Sequence, residues 1–155
     1  MHLSRIVLVL VLGLMLGAGS PTSGAAKSYT VDRIGVNASV RPDGSMAVTE
    51  EITYSFDGSF TFAYRDIPVS AGMRVTGIAV AEGGRPYEES PGDEPGTFYV
   101  TETNGVMKVT WHCAARNETR SFRLSYVVEG AVRRYEDTAE LYYQFVGDEW
   151  DHPIG

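Results

Sequence analysis

Glu50 is a carboxylate in an apolar register. It lies in phase with Val48 and Ile52 in the stretch Val48-Thr-Glu-Glu-Ile-Thr-Tyr54. Two-residue alternation puts all three on the strand face that turns toward a core. A buried carboxylate is costly unless it is paired or hydrogen-bonded. It would serve either as a ligand-binding or acid–base group, or as half of a structural ion pair near the rim of the fold. The expected partner is Arg65, whose planar guanidinium suits a carboxylate. Arg65-Asp66-Ile67-Pro68 ends an aromatic cluster of Phe60, Phe62 and Tyr64. This stretch reads as a loop. It is either an exposed recognition loop, where aromatic faces meet sugars or peptides, or a loop folded over the end of the domain with Pro68 fixing its exit. Glu50, Arg65 and Asp66 are therefore the candidate binding residues, and structural roles for them are the favoured reading.

Nothing else assembles into a catalytic set. Cys113 shares an apolar face with Trp111 and reads as a small buried hydrophobe. His112 points to the opposite face, so the two neighbours cannot form a nucleophile–base pair within one strand. The histidines are His2, His112 and His152, too few and too scattered for a metal site. Glu82, Glu88, Glu89, Asp93 and Glu94 crowd one segment but lack the ordered spacing of a calcium loop, and read as solvated charge. Asn37-Ala-Ser39 and Asn117-Glu-Thr119 match the glycosylation pattern, which matters only in a host that glycosylates. No catalytic residues, no metal and no cofactor are expected.

The N-terminus reads as a secretory signal over residues 1–26. Arg5 supplies a positive start, Ile6 to Ala18 is an unbroken apolar run of 13 residues, and Gly24-Ala25-Ala26 offers small residues for cleavage before Lys27. Gly17-Ala18-Gly19 is the second candidate site. A membrane-spanning helix needs about 20 residues, so the run favours a cleaved signal over an anchor. Residues 27–155 then form one domain of ordinary size. A single cysteine excludes a disulfide framework within the chain. Of 13 basic residues only Arg5 precedes Lys27, which leaves 12 basic against 20 acidic residues, a charge of −8. Such a surface disfavours nucleic acid and direct docking on anionic lipid.

The elements that must position these residues are strands. Ile34, Val36, Ala38 and Val40 alternate with polar residues, Arg41-Pro-Asp-Gly44 reads as a tight turn, and Met46 to Phe56 continues the pattern as a hairpin. Met73 to Ala81 is a further strand, weakened by Gly77. Gly83 to Gly96 reads as a long acidic loop. Asn104-Gly105 joins Thr97–Thr103 to Val106–Ala114, because both central residues of such a turn need positive φ. Phe122 to Val128 alternates again, and Leu141, Tyr143 and Phe145 close the pattern. The fold class is all-β: an antiparallel β-sandwich of about seven or eight strands. Trp111, Leu124, Tyr126 and Ile52 are expected in its core. Asp148 to Gly155 reads as a turn into another strand, so the domain is expected to be truncated at its C-terminus.

The ordered set of motifs resembles the N-terminal region of a family of predicted bacterial membrane proteins, domain of unknown function 2207. Its pieces are Tyr29-Thr-Val-Asp-Arg-Ile34, Arg41-Pro-Asp-Gly-Ser45, Val48 to Tyr54, Phe56-Asp-Gly58, Tyr64 to Pro68, Phe122-Arg-Leu-Ser-Tyr126, Asp137-Thr-Ala-Glu-Leu141 and Trp150-Asp-His-Pro-Ile154. The resemblance implies an extracytoplasmic β-domain tethered by transmembrane helices further along a longer chain. It carries over no catalytic residues. The expected function is a non-enzymatic interaction or accessory module at the cell envelope, with an envelope protein or wall polymer as partner. The alternative is a hydrolase of wall polymers working through carboxylates such as Glu50 and Asp66, whose separation would decide it.

Overall fold

The computed structural model describes residues 26–134, 137, 139–141 and 143. The signal segment, its cleavage sites up to Ala25, Phe145 and the Asp148–Gly155 turn lie outside the described residues. The elements are β1 (Ser28–Val40), β2 (Met46–Pro68), β3 (Arg74–Glu82), β4 (Arg85–Pro86), β5 (Glu88–Glu89), β6 (Thr97–Thr103), β7 (Val106–Glu129), β8 (Val132–Arg134) and β9 (Ala139–Leu141). The first seven form one sheet in which β1, β2, β7, β3 and β4 are successive neighbours, with β6 also on β7 and β5 on β6. The β8–β9 pair is a separate antiparallel ribbon.

The all-β antiparallel architecture is the one expected, and it is reached by folding a single sheet across itself. β2 has 23 residues and β7 has 24. Extended, Glu50 and Arg65 would stand roughly 50 Å apart on β2, yet Arg65 Nε lies 2.8 Å from Glu50 Oε2. β2 therefore doubles back between them. β7 does the same, since Trp111 and Phe122 are 5.5 Å apart by ring centroid. Both strands turn at one crease. Asp57 and Gly58 of β2 oppose the single Asn117 of β7, a bulge of two residues against one. Gly58 and Asn117 have φ of 99° and 49°, and the Gly58 amide donates to Asn117 Oδ1 at 2.6 Å.

One layer thus holds β1, the first half of β2, the second half of β7, and β3. The other holds the second half of β2, the first half of β7, and β6. Between them lie Trp111, Ile52, Leu124 and Tyr126, all buried as expected, together with Phe122, and Tyr54 packs against both Trp111 and Phe122.

Three expectations are corrected. The stretch from Phe60 to Pro68 is strand, not loop: after the bulge it resumes pairing with β7, shifts register once more between Phe60 and Phe62, and runs on to Pro68↔Val106. The residues 106–114 and 122–128 belong to one strand bent at Asn117, because its left-handed conformation turns the chain without ending the ladder. The acidic segment after Gly83 carries β4 and β5, the latter parallel to β6, and is held by the Tyr87 hydroxyl donating to Glu82 Oε2 at 2.8 Å.

Candidate functional site

Folding β2 on itself brings Glu50 against Arg65. Glu50 is fully buried and Arg65 nearly so. Arg65 Nε donates to Glu50 Oε2, and Nη2 lies 3.5 Å from Oε1. Arg65 Nη1 donates to the Asp66 carbonyl at 2.7 Å. Tyr126, on the second half of β7, donates its hydroxyl to Glu50 Oε1 at 2.7 Å. With that proton committed, the contact of 3.3 Å between the Tyr126 and Tyr143 hydroxyls has Tyr143 as donor. Burial, and then the Glu50 charge beside it, push the Tyr126 hydroxyl far above its ordinary range. The cluster is a sealed, mutually hydrogen-bonded knot that joins both layers to the segment after β9. It is suited to fixing the two layers in register.

Asp66 does not join this cluster through its side chain. It follows Arg65 in a strand, so it points to the opposite face. There its Oδ1 lies 3.4 Å from Lys108 Nζ, within ion-pair range but not aligned for a hydrogen bond. The two carboxylates proposed for a hydrolase thus lie on opposite sides of the second half of β2. One of them is already committed to an arginine and a tyrosine.

The face Asp66 occupies carries a feature that the sequence shows only in part. The outer side of the second layer presents Phe62 and Tyr64 from β2, Lys108, Thr110 and His112 from β7, and Tyr99 from β6, with Phe62↔His112, Tyr64↔Thr110 and Tyr99↔Thr110 as direct cross-strand partners. Phe62 is 50% exposed and Tyr64 36%. Tyr99 stacks on His112 at 5.8 Å, Phe62 lies 6.5 Å from it, and Lys108 Nζ sits 4.1 Å over the Tyr64 ring. Thr110 and His112 are buried beneath these rings, and His112 Nε2 has no hydrogen-bond partner. An outer sheet face is ordinarily polar; this one is aromatic across three strands. The joining of Phe62 and Tyr64 to Tyr99, Lys108 and Thr110 escapes a reading along the chain because the β2–β7 register is long-range, whereas the β6–β7 hairpin is local.

The remaining candidates are structural or solvated. Burial raises the Cys113 thiol above its ordinary pKa, and the thiolate is disfavoured. Arg120 pairs with Glu82, its Nη2 at 2.5 Å from Oε2, and holds that carboxyl below its ordinary value. Among the described residues no group of three potential metal ligands comes together. An open cleft of about 570 Å³ lies between the β1–β2 turn and the end of β7, lined by Arg41, Asp43, Ser45, Thr76 and Glu129 among others. Two of its carboxylates are already engaged, Asp43 by Ser45 and Glu129 by Arg74.

The family model described as "Predicted membrane protein (DUF2207) N-terminal domain" matches residues 30–155. No curated protein matches the chain. Among solved structures the chain is similar to the backbone protein of the group B streptococcus pilus 2b, at 15% identity and a TM-score of 0.38, covering 77% of this chain and 53% of that one.

Proposed function

This chain belongs to the DUF2207 family of predicted membrane proteins, as an N-terminal domain of that family, and from that premise we propose that it is a non-enzymatic interaction module on the extracytoplasmic side of the membrane. Export is supported by the charged, apolar and small-residue sequence of the first 26 residues. Interaction is supported by one observation above the others, the aromatic outer face of the second layer. Half-exposed rings on a rigid sheet bring large contact area with little conformational entropy to lose on binding. Surface aromatics gathered from two strands on either side of β7 are what a contact face needs and what a solvated face avoids. The internal carboxylate has a different role, since Glu50 is satisfied by Arg65 and Tyr126 and holds the layers together.

The reading is tested by binding the exported protein to isolated cell envelopes of its own host. The parent should sediment with them, and a Phe62→Ala/Tyr64→Ala variant with an unchanged melting temperature should remain in solution. A variant that sediments as well as the parent would show that this face is not the contact.

A further inference from the structure

We propose that the aromatic outer face of the second layer binds a neutral polysaccharide, with Phe62 and Tyr64 stacking on sugar rings. The inference rests on the interaction reading above and names its ligand class. Three observations carry it. The first is shape. Phe62 and Tyr64 on β2 and Tyr99 on β6 flank β7 on one face of one sheet layer. Alternate residues along a strand are about 7 Å apart, so Phe62 and Tyr64 present two adjacent rings to an extended ligand. The second is charge. The chain after the first 26 residues carries −8, which repels anionic polymers and anionic lipid, while the charges on this face, Lys108 and Asp66, lie against each other. The face is locally neutral, so the complementary partner is neutral. The third is unmet hydrogen bonding. His112 is only 9% exposed, and its Nε2, shielded from solvent, has no hydrogen-bond partner among the described residues. A buried polar atom left unsatisfied is costly. A sugar hydroxyl that displaces the edge of Phe62, half exposed and packed on His112, would satisfy it; a hydrocarbon surface would not. Aromatic planes flanked by hydroxyl and imidazole groups suit the apolar C–H faces and equatorial hydroxyls of a hexose.

The test titrates the exported chain with soluble oligosaccharides of glucose, of mannose and of N-acetylglucosamine, and then with host wall glycan stripped of protein by protease. Saturable binding to at least one of these is expected. Phe62→Ala and Tyr64→Ala should each weaken it by about fivefold to tenfold. Tyr64→Phe, which keeps the ring, should stay within about twofold of the parent. Val36→Ala, at an exposed position in the other layer, should leave binding unchanged, and melting curves show that each variant is folded. Absence of binding to every sugar at millimolar concentration and to the stripped glycan would overturn the proposal. So would sugar binding that both alanine variants retain. If the chain binds whole envelopes through Phe62 and Tyr64 but loses them after protease treatment, the partner is a protein: the polysaccharide inference fails and the interaction reading stands. If the ring variants bind whole envelopes as well as the parent, both fail.

Discussion

A charged pair sealed in a small core is informative chiefly through what it leaves when broken. Glu50 and Arg65 are both buried, so removing either strands the other in an apolar environment. Glu50→Gln or Arg65→Met alone should cost roughly 3–5 kcal/mol, whereas the matched apolar double change Glu50→Leu/Arg65→Met should recover much of that loss. A double-mutant cycle by denaturant unfolding measures the coupling. Additive losses would mean that the two side chains do not act on each other. Tyr126→Phe removes a donor to the same carboxylate and should cost about 1.5–3 kcal/mol. A different dependence belongs to Glu82, which Arg120 holds below its ordinary value of 4.5. Its folded pKa is depressed, so its contribution to stability is complete above pH 4.5 and disappears as the pH falls through the folded value. Glu82→Gln should therefore be less stable than the parent at neutral pH, with the gap closing as the solution is acidified below about pH 4.5. A gap that stays constant into acid would remove this pair as its source. Of the residues singled out from sequence, Glu50 is betrayed by its phase, and Arg65 by being the cation that phase requires. Asp66 is grouped with them only by adjacency, and in a strand adjacency means opposite faces.

What makes two long strands into two layers is a crease, and the crease rests on few atoms. Asn117 holds a left-handed φ of 49°, which asparagine tolerates better than other side chains that carry a Cβ. Its Oδ1 also caps the Gly58 amide. Asn117→Ala loses both and should destabilise by about 1–3 kcal/mol. Asn117→Gly loses only the hydrogen bond and should fall between that variant and the parent in thermal melting. Equal losses for Ala and Gly would show that backbone conformation at 117 does not matter. Gly58 is more constrained: at φ 99° any side chain is strained, and a Cβ there would meet Lys27 Cβ at 2.7 Å. This crease also explains what alternation can and cannot reveal. The turns at Arg41–Gly44 and Asn104-Gly105 and the apolar phase of the first half of β2 and of both halves of β7 are legible, because each is a local pattern. On β2 the buried apolar positions change from even numbers (46 to 56) to odd (63 to 67), and on β7 from odd (109 to 115) to even (122 to 128). A change of phase looks like a loop when read along the chain. It is a bulge only once the opposite strand is known. The outer aromatic face is hidden for the same reason, since Phe62 and Tyr64 read as loop residues and Tyr99 belongs to another hairpin.

The chain is acidic, and its described residues form a sandwich that begins at the crease. Lys27 lies against Gly58, and its Nζ sits 5.2 Å from the centre of the Phe60 ring. β1 starts one residue later, at Ser28. The preferred cleavage point, after exposed Ala26, therefore falls just before the first described residue with a packing contact, Lys27. That position suits a signal peptidase, which needs an extended, accessible segment with small residues before the cut. Cleavage there leaves the contacts of Lys27 intact and removes the apolar run of Ile6 to Ala18. Cleavage after Gly19 would instead leave a short polar extension ahead of the sheet. N-terminal sequencing of the protein recovered from outside the cytoplasm of a bacterial host should find Lys27 first, or a residue close to it. Replacing Ala26 with a large residue such as Phe should slow processing and let the precursor accumulate, since the position next to the cut must be small. Protein recovered with Met1 still in place would show that the apolar run is retained and acts as an anchor. The extracytoplasmic side would then have to be tested separately, by protease accessibility in intact cells.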